Sequence, residues 1–242
     1  LLDLGNSRPE STRTPIMYTL HYAPDNASLI VRLALDGAGI PYRAALVNRA
    51  VGQQDSPAYR ALNPTGMIPV LETPEGPIAE TGAILLWLSD AHHLGPLPGE
   101  AGRLAFLQWL FYLSNTAHAE IRTLFYPHRY APVEAHPAHQ EIMSARMLVH
   151  FGLLDAAARQ HPTLFAPGRP LGIYAVVLTR WARLYPPDAP PWLDLAAFPA
   201  LEALARGQEA RVETPVVARA EGLGPHPFTR PEQPNPPEGS VY

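Results

Sequence analysis

Glu80 and Thr81 place a carboxylate and a hydroxyl where an extended run gives way to helical spacing, within NPTGMIPVLETPEGPIAETGAI, residues 63–84. A helix opening there presents unpaired N–H groups and partial positive charge, which suit a carboxylate. The Thr81 hydroxyl adds one donor, and Glu80 can pair with an ammonium. Upstream, Met67, Ile68, Pro69, Val70 and Leu71 have strand composition. Pro69 cannot donate to a ladder, so one side of such a strand stays unpaired. The free backbone of Ile68 can then pair antiparallel with an extended peptide. Together these groups would hold a small peptide with an α-amine and an α-carboxylate at one end. The same residues also suit an ordinary strand-turn-strand-helix with an acidic cap, and spacing alone does not choose between the two.

The succession of NPTGMIPVL and ETGAILLWL resembles the glutathione-binding half of the glutathione S-transferase superfamily. The preceding YTLHYAPDNASLIVRLALDGAGIPY resembles the first strand and helix of its bacterial beta-type members. The likeness runs from about Tyr18 to about Leu94, and more loosely to about Leu223. It implies a thioredoxin-like domain with a cis Ile68–Pro69 bond, glutathione as co-substrate, and a homodimer. It also implies that Met67, Ile68, Pro69, Glu80 and Thr81 hold the tripeptide, with Gln53 or Gln54 near its glycine end.

Composition narrows the remaining classes. The chain has 242 residues and a net charge of −4, which argues against a nucleic-acid partner. No apolar run approaches the ~20 residues that span a bilayer, and residues 1–16 lack a secretory pattern, so a cytoplasmic location is expected. With no cysteine, disulfides, thiolate metal sites and cysteine nucleophiles are excluded. His92 and His93, and His136 with His139, lack carboxylate ligands at helical spacing, so no metal is expected.

The elements that must position these groups follow in order. Residues 1–16 are polar and aperiodic and read as a disordered leader or an expression remnant, with Met17 a natural start. Tyr18 to Tyr22 reads as a strand, and Ser28 can cap a helix with Leu29, Leu33, Leu35 and Ile40 on its apolar face. Tyr42 to Val47 is a second strand, and Gln53 to Leu62 a short helix. Two more strands and a helix to about Asp90 complete a β-α-β-α-β-β-α order over residues 17–94, an α/β layer structure. After the linker at 95–100, strand signals almost vanish. Helices are expected at 103–125, 139–160, 173–185 and 198–212, an all-α bundle over residues 100–223. The proline-rich tail, residues 224–242, reads as extended and mobile; a lesser reading folds His226 and Phe228 back over the cleft.

A glutathione transferase must stabilise a thiolate, and an unperturbed thiol near pKa 8.5 is mostly protonated at pH 7. Lowering it by about two units takes roughly 2.7 kcal/mol, within reach of a helix N-terminus plus one donor. Beta-type members carry a cysteine at the position matching Ala27, so chemistry through that cysteine is ruled out here. Ser28, Asn26 and Tyr22 remain, in that order of preference. Asparagine serves in some bacterial relatives, and Tyr22 matches the activating tyrosine of other branches. The alternatives are a plain cap for Ser28 and core packing for Tyr22. His118 matches a cleft histidine of beta-type members, and Arg122, Tyr126, Arg129 and Tyr130 are candidates to wall an electrophile pocket.

Three functions fit this reading. The first is a transferase that attaches glutathione to a small hydrophobic electrophile or uses it to reduce a peroxide. The second is a glutathione-binding or interaction module without catalysis. The third, an isomerase of the maleylacetoacetate kind, lacks its expected Ser-Ser-Cys loop, replaced by Asp25-Asn26-Ala27. Relatives also open a buried helix with a capping box where this chain has Arg169 and Gly172, so that cap is missing or replaced.

Overall fold

The computed structural model describes residues 18–187 and 191–241, so the expected leader lies outside the described residues. The first half is β1 (Tyr18–Tyr22), α1 (Ser28–Gly37), β2 (Tyr42–Leu46), α2 (Pro57–Leu62), β3 (Val70–Thr73), β4 (Gly76–Ala79) and α3 (Thr81–His92). The four strands form one sheet in the order β2-β1-β3-β4. β1 runs parallel to β2, with Leu20 opposite Ala44, and antiparallel to β3, with Leu20 opposite Leu71. β3 and β4 form a tight antiparallel pair across Thr73 and Gly76. This is the thioredoxin-like layer, with α1 and α3 on one face through Leu20, Val31, Leu35, Leu71, Ile84 and Leu88. α2 covers the other face through Tyr59, Val47 and Val70.

A helical region follows: α4 (Arg103–Phe111), α5 (His118–Phe125), α6 (His136–Gln160), α7 (Pro170–Leu184), α8 (Pro199–Glu209) and α9 (Thr214–Glu221). α1 is apolar on nearly every side because it is covered twice. Val31 and Leu35 meet the sheet, whereas Leu29, Ile30, Leu33 and Ala34 join the core of the helical region. A helix apolar all round is a buried helix, and α7 is the second such case, every residue but Arg183 being buried. α7 opens without a side-chain cap: Pro170 takes the first turn, where its missing N–H costs nothing. A Cβ on Gly172 would lie 2.5 Å from the Ala166 carbonyl oxygen, so the absent cap coincides with a close backbone approach.

Four expectations are corrected here. Met67, Ile68 and Pro69 are not strand: β3 begins at Val70, and the preceding turn is braced by Asn63 and Tyr59 donating to the Met67 carbonyl at 2.8 and 2.9 Å. The helix expected at 103–125 is interrupted by a π-helical stretch, Tyr112–Ala117. α9 was not expected, because Val216 and Val217 sit among polar residues with little periodic signal. The tail, finally, is packed: Phe228 is fully buried, and the Glu209 carboxylate accepts from the N–H groups of Phe228 and Thr229. Arg183 holds the Phe228 and Thr229 carbonyls. Prolines make this segment extended, but buried side chains and charged partners fix it.

Candidate active site

A cleft of about 630 Å³ opens between the sheet's α1 end and the face of α5 and α7. Its floor begins with the loop from β1 to α1. Asp25 takes φ +47°, a left-handed conformation that an aspartate tolerates better than most residues. It is fixed by four contacts. Arg180 donates to both carboxylate oxygens at 2.9 and 3.0 Å, Trp181 Nε1 donates at 2.9 Å, and the Asp25 N–H donates to Glu221 at 3.0 Å. All of Asp25, Arg180 and Glu221 are buried. Burial pushes the Glu221 carboxyl up to about 7, against the pull of Arg32 at 3.2 Å. This charged knot joins α1, α7 and α9, and the residue it steers into the cleft is Asn26.

Asn26 and Ala27 both line the cleft, and among the described residues their N–H groups have no hydrogen-bond partner. The first intrahelical bonds of α1 go instead to their carbonyls, from Leu29 and Ile30. The helix therefore presents free N–H groups beside the Asn26 carboxamide. Neither other candidate donor reaches this space. Ser28 is fully buried, and its hydroxyl bonds back to Ala23, donating to the carbonyl at 3.0 Å and accepting from the N–H at 3.2 Å. It does not cap α1 either; Ala27 stands at the cap position. Tyr22 is buried, with Arg32 over its ring at 4.9 Å, and donates its phenol to Glu238 at 2.7 Å. Burial and that carboxylate push its pKa up to about 12, so the proton stays on the phenol and points at the tail.

Opposite this loop, the Ile68–Pro69 peptide is cis, as the resemblance implies. Ile68 lines the cleft with no backbone partner among the described residues. Glu80 has φ +67°, unusual for a residue with a Cβ, and stands at the N-cap of α3 without a side-chain cap bond. Backbone held in such a region costs of order 1–3 kcal/mol and tends to collect at ligand sites. The conformation leaves the Glu80 carboxylate exposed in the cleft beside the α3 N-terminus and Thr81. Gly82 permits the approach of α5's approach segment, since a Cβ there would lie 2.9 Å from Ser114 Oγ. Gln54 lines the cleft, its amide oxygen buried without a partner among the described residues. Gln53 does not, because its amide accepts from the Asn48 N–H at 2.8 Å.

His118, Arg122, Tyr126 and Arg129 form the far wall, and Tyr130 lies outside it. His118 Nδ1 pairs with the Tyr174 hydroxyl at 2.8 Å, and its ring packs on Trp181. Burial, with Arg122 nearby, lowers its pKa to about 4, so the ring is neutral at pH 7. Burial likewise pushes the Tyr174 phenol up. Sequence reasoning missed Arg49, Trp181, Tyr185 and Val241, all of which line the cleft. They come from a turn, a buried helix and the tail, where neither period nor motif marks them. Among the described residues no group of three or more His, Asp or Glu is placed to hold a metal. Nor is any described helix long and apolar enough to cross a membrane.

Residues 27–91 match the family described as glutathione S-transferase, N-terminal domain. Glutathione S-transferase GST-4.5 of Xanthomonas campestris pv. campestris is 24% identical over 210 residues, 84% of this chain and 98% of that protein. A sphingomonad glutathione S-transferase, solved with glutathione bound, is 25% identical with a TM-score of 0.68, covering 85% of this chain and all of the other. A probable elongation factor 1-gamma 2 of Arabidopsis thaliana is 38% identical over 93 residues, 37% of this chain and 22% of that protein. Over residues 27–91 the chain is thus similar to the glutathione S-transferase N-terminal domain, and over most of its length its fold is similar to that of solved glutathione S-transferases.

Proposed function

We propose that the chain is a glutathione transferase that binds the tripeptide as its thiolate and transfers the sulfur to a small electrophile. Ile68 pairs with the tripeptide main chain. Glu80 takes the γ-glutamyl ammonium, Thr81 and the N-terminus of α3 take its carboxylate, and Gln54 serves the glycine end. The sulfur lies against the N-terminus of α1, where Asn26 donates in place of a cysteine, serine or tyrosine. His118, Arg122 and Tyr126 border the electrophile. The observation that carries the reading is the meeting, in one cleft, of unpaired N–H groups and a carboxamide at α1 with the exposed Glu80 carboxylate at α3.

The reading includes a homodimer. Leu104 and Phe111, one heptad apart on α4, are 84% and 51% exposed and suit cover by a second copy. It also includes the cytoplasm, where a thiol co-substrate stays reduced. A second reading, a glutathione-binding module without turnover, draws support from the loss of two donors: the Ser28 and Tyr22 hydroxyls are both engaged inside the protein. Calorimetry with glutathione, followed by turnover of 1-chloro-2,4-dinitrobenzene, separates the two. The transferase reading expects heat and turnover; heat without conjugation of aryl halides or reduction of hydroperoxides to alcohol and glutathione disulfide supports the module, and no heat removes both.

A further inference from the structure

The electrophile wall carries more positive charge than a pocket for a neutral apolar molecule needs. Arg122 and Arg129 line it and Arg49 lines the same cleft, and among the described residues none of the three has a carboxylate within ion-pair distance. The acids around the cleft are committed elsewhere. Asp25 is held by Arg180, Asp55 by Arg60 at 2.6 Å, and Glu120, on the same helix as Arg122, by Arg146 and His150. Glu80 stands apart at α3.

What the three guanidinium groups do touch is soft or neutral. Arg122 reaches the Met67 sulfur at 3.8 Å. Arg129 lies over the Tyr126 ring at 4.9 Å, while Arg49 donates to the hydroxyl of that same tyrosine at 3.1 Å and to the Val241 carbonyl. Two cations thus contact one tyrosine, Arg129 over its ring and Arg49 at its hydroxyl, and an anion bound beside that tyrosine would be attracted by both. Planar guanidinium forks match a carboxylate edge to edge, and aromatic faces beside them accept a flat unsaturated body. Phe125, Trp181 and Tyr126 supply those faces.

Building on the transferase reading, we propose that the second substrate is an anionic electrophile, a carboxylate attached to an aromatic or conjugated frame, and that Arg122 and Arg129 select it. In the reaction the thiolate sulfur attacks an electrophilic carbon of that frame. With an aryl chloride the C–S bond forms and chloride leaves with the electron pair of the C–Cl bond. Of the charges on glutathione, the γ-glutamyl ammonium and carboxylate are assigned to Glu80 and the α3 N-terminus. The glycine carboxylate is the one that competes for these guanidinium groups, so binding of glutathione alone is the control.

A matched pair of conjugates tests the inference. S-(4-carboxy-2-nitrophenyl)glutathione and its ring methyl ester have the same frame and differ by one charge. Calorimetry is expected to show the carboxylate bound roughly tenfold tighter than the ester by the full-length protein, the scale of one charge-assisted contact. Arg122→Met and Arg129→Met should each bring the two towards parity. Binding of glutathione alone, measured on the same variants, separates this from a role in holding the tripeptide. Heat with glutathione but equal affinity for the two conjugates overturns the inference and leaves the transferase reading standing. So does a variant that loses glutathione affinity as steeply as conjugate affinity. No heat with glutathione removes the underlying reading, and this inference with it.

Discussion

Removing the Asn26 carboxamide takes one donor from beside the N-terminus of α1. A donor that shifts the bound thiol's pKa by about one unit changes the thiolate population by at most about tenfold, so Asn26→Ala is expected to lower kcat/KM for an aryl halide up to about tenfold. The same change at Ser28 acts differently. Its hydroxyl is buried and doubly bonded to Ala23, so Ser28→Ala should cost about 1–3 kcal/mol in urea denaturation without raising the thiol pKa of bound glutathione. The sequence could suggest all three donors but not sort them. The partner of the Tyr22 phenol lies 216 residues away at Glu238, and no local pattern announces a contact of that span. That Glu80, Thr81 and Ile68 line one cleft was legible because its signals are local: a helix opening, and a proline that breaks a ladder.

At the scale of elements, the loop before α1 is only as well placed as the Asp25–Arg180–Glu221 knot beneath it. Truncating one partner of a buried ion pair typically costs 3–5 kcal/mol, because the other charge stays buried. Arg180→Met should therefore lower the urea midpoint substantially and weaken glutathione binding, although Arg180 itself never touches the cleft. Glu221 adds a pH dependence. Its folded pKa, raised to about 7 from 4.5 mainly by burial, means the folded state holds a proton that the unfolded state has released. The associated stability is full below about 4.5 and is lost as pH rises through about 7. Thermal melts of wild type and Glu221→Gln should show the wild type losing ground to the variant across that window, and nothing further above it. An unchanging difference between the two would show that Glu221 does not titrate there. Strands and long helices were legible from period and composition, whereas the π-helical stretch before His118 was not. Its residues keep helical spacing on either side, and its close approach to α3, where a Cβ on Gly82 would lie 2.9 Å from Ser114 Oγ, has no local signal.

Over the whole molecule, the tail closes the structure on itself. Phe228 fills the core, Arg180 donates to the Pro227 and Glu232 carbonyls, Glu238 receives Tyr22, and Val241 reaches the cleft. Ending the chain after Leu223 removes a buried phenylalanine and strips two acceptors from a buried guanidinium. A loss of about 3–5 kcal/mol is expected from the phenylalanine alone, read as a lowered melting temperature. Proline content made this segment look loose because it reports the lack of helix, not the lack of contacts. The general layout, a thioredoxin-like layer followed by helices, was readable from the order of periods. How the halves close over one cleft was not, since Arg180 looks in sequence like any helix arginine. The claim on which the rest depends is that this cleft, without a cysteine, holds glutathione as its thiolate. Titrating the thiolate's ultraviolet absorbance in the bound complex addresses it directly. The bound thiol should ionise about two units below its ordinary pKa of 8.5, with Asn26→Ala moving it back by about one unit and Tyr22→Phe leaving it in place. A bound thiol that ionises at its solution value, or follows Tyr22 instead of Asn26, would contradict the account.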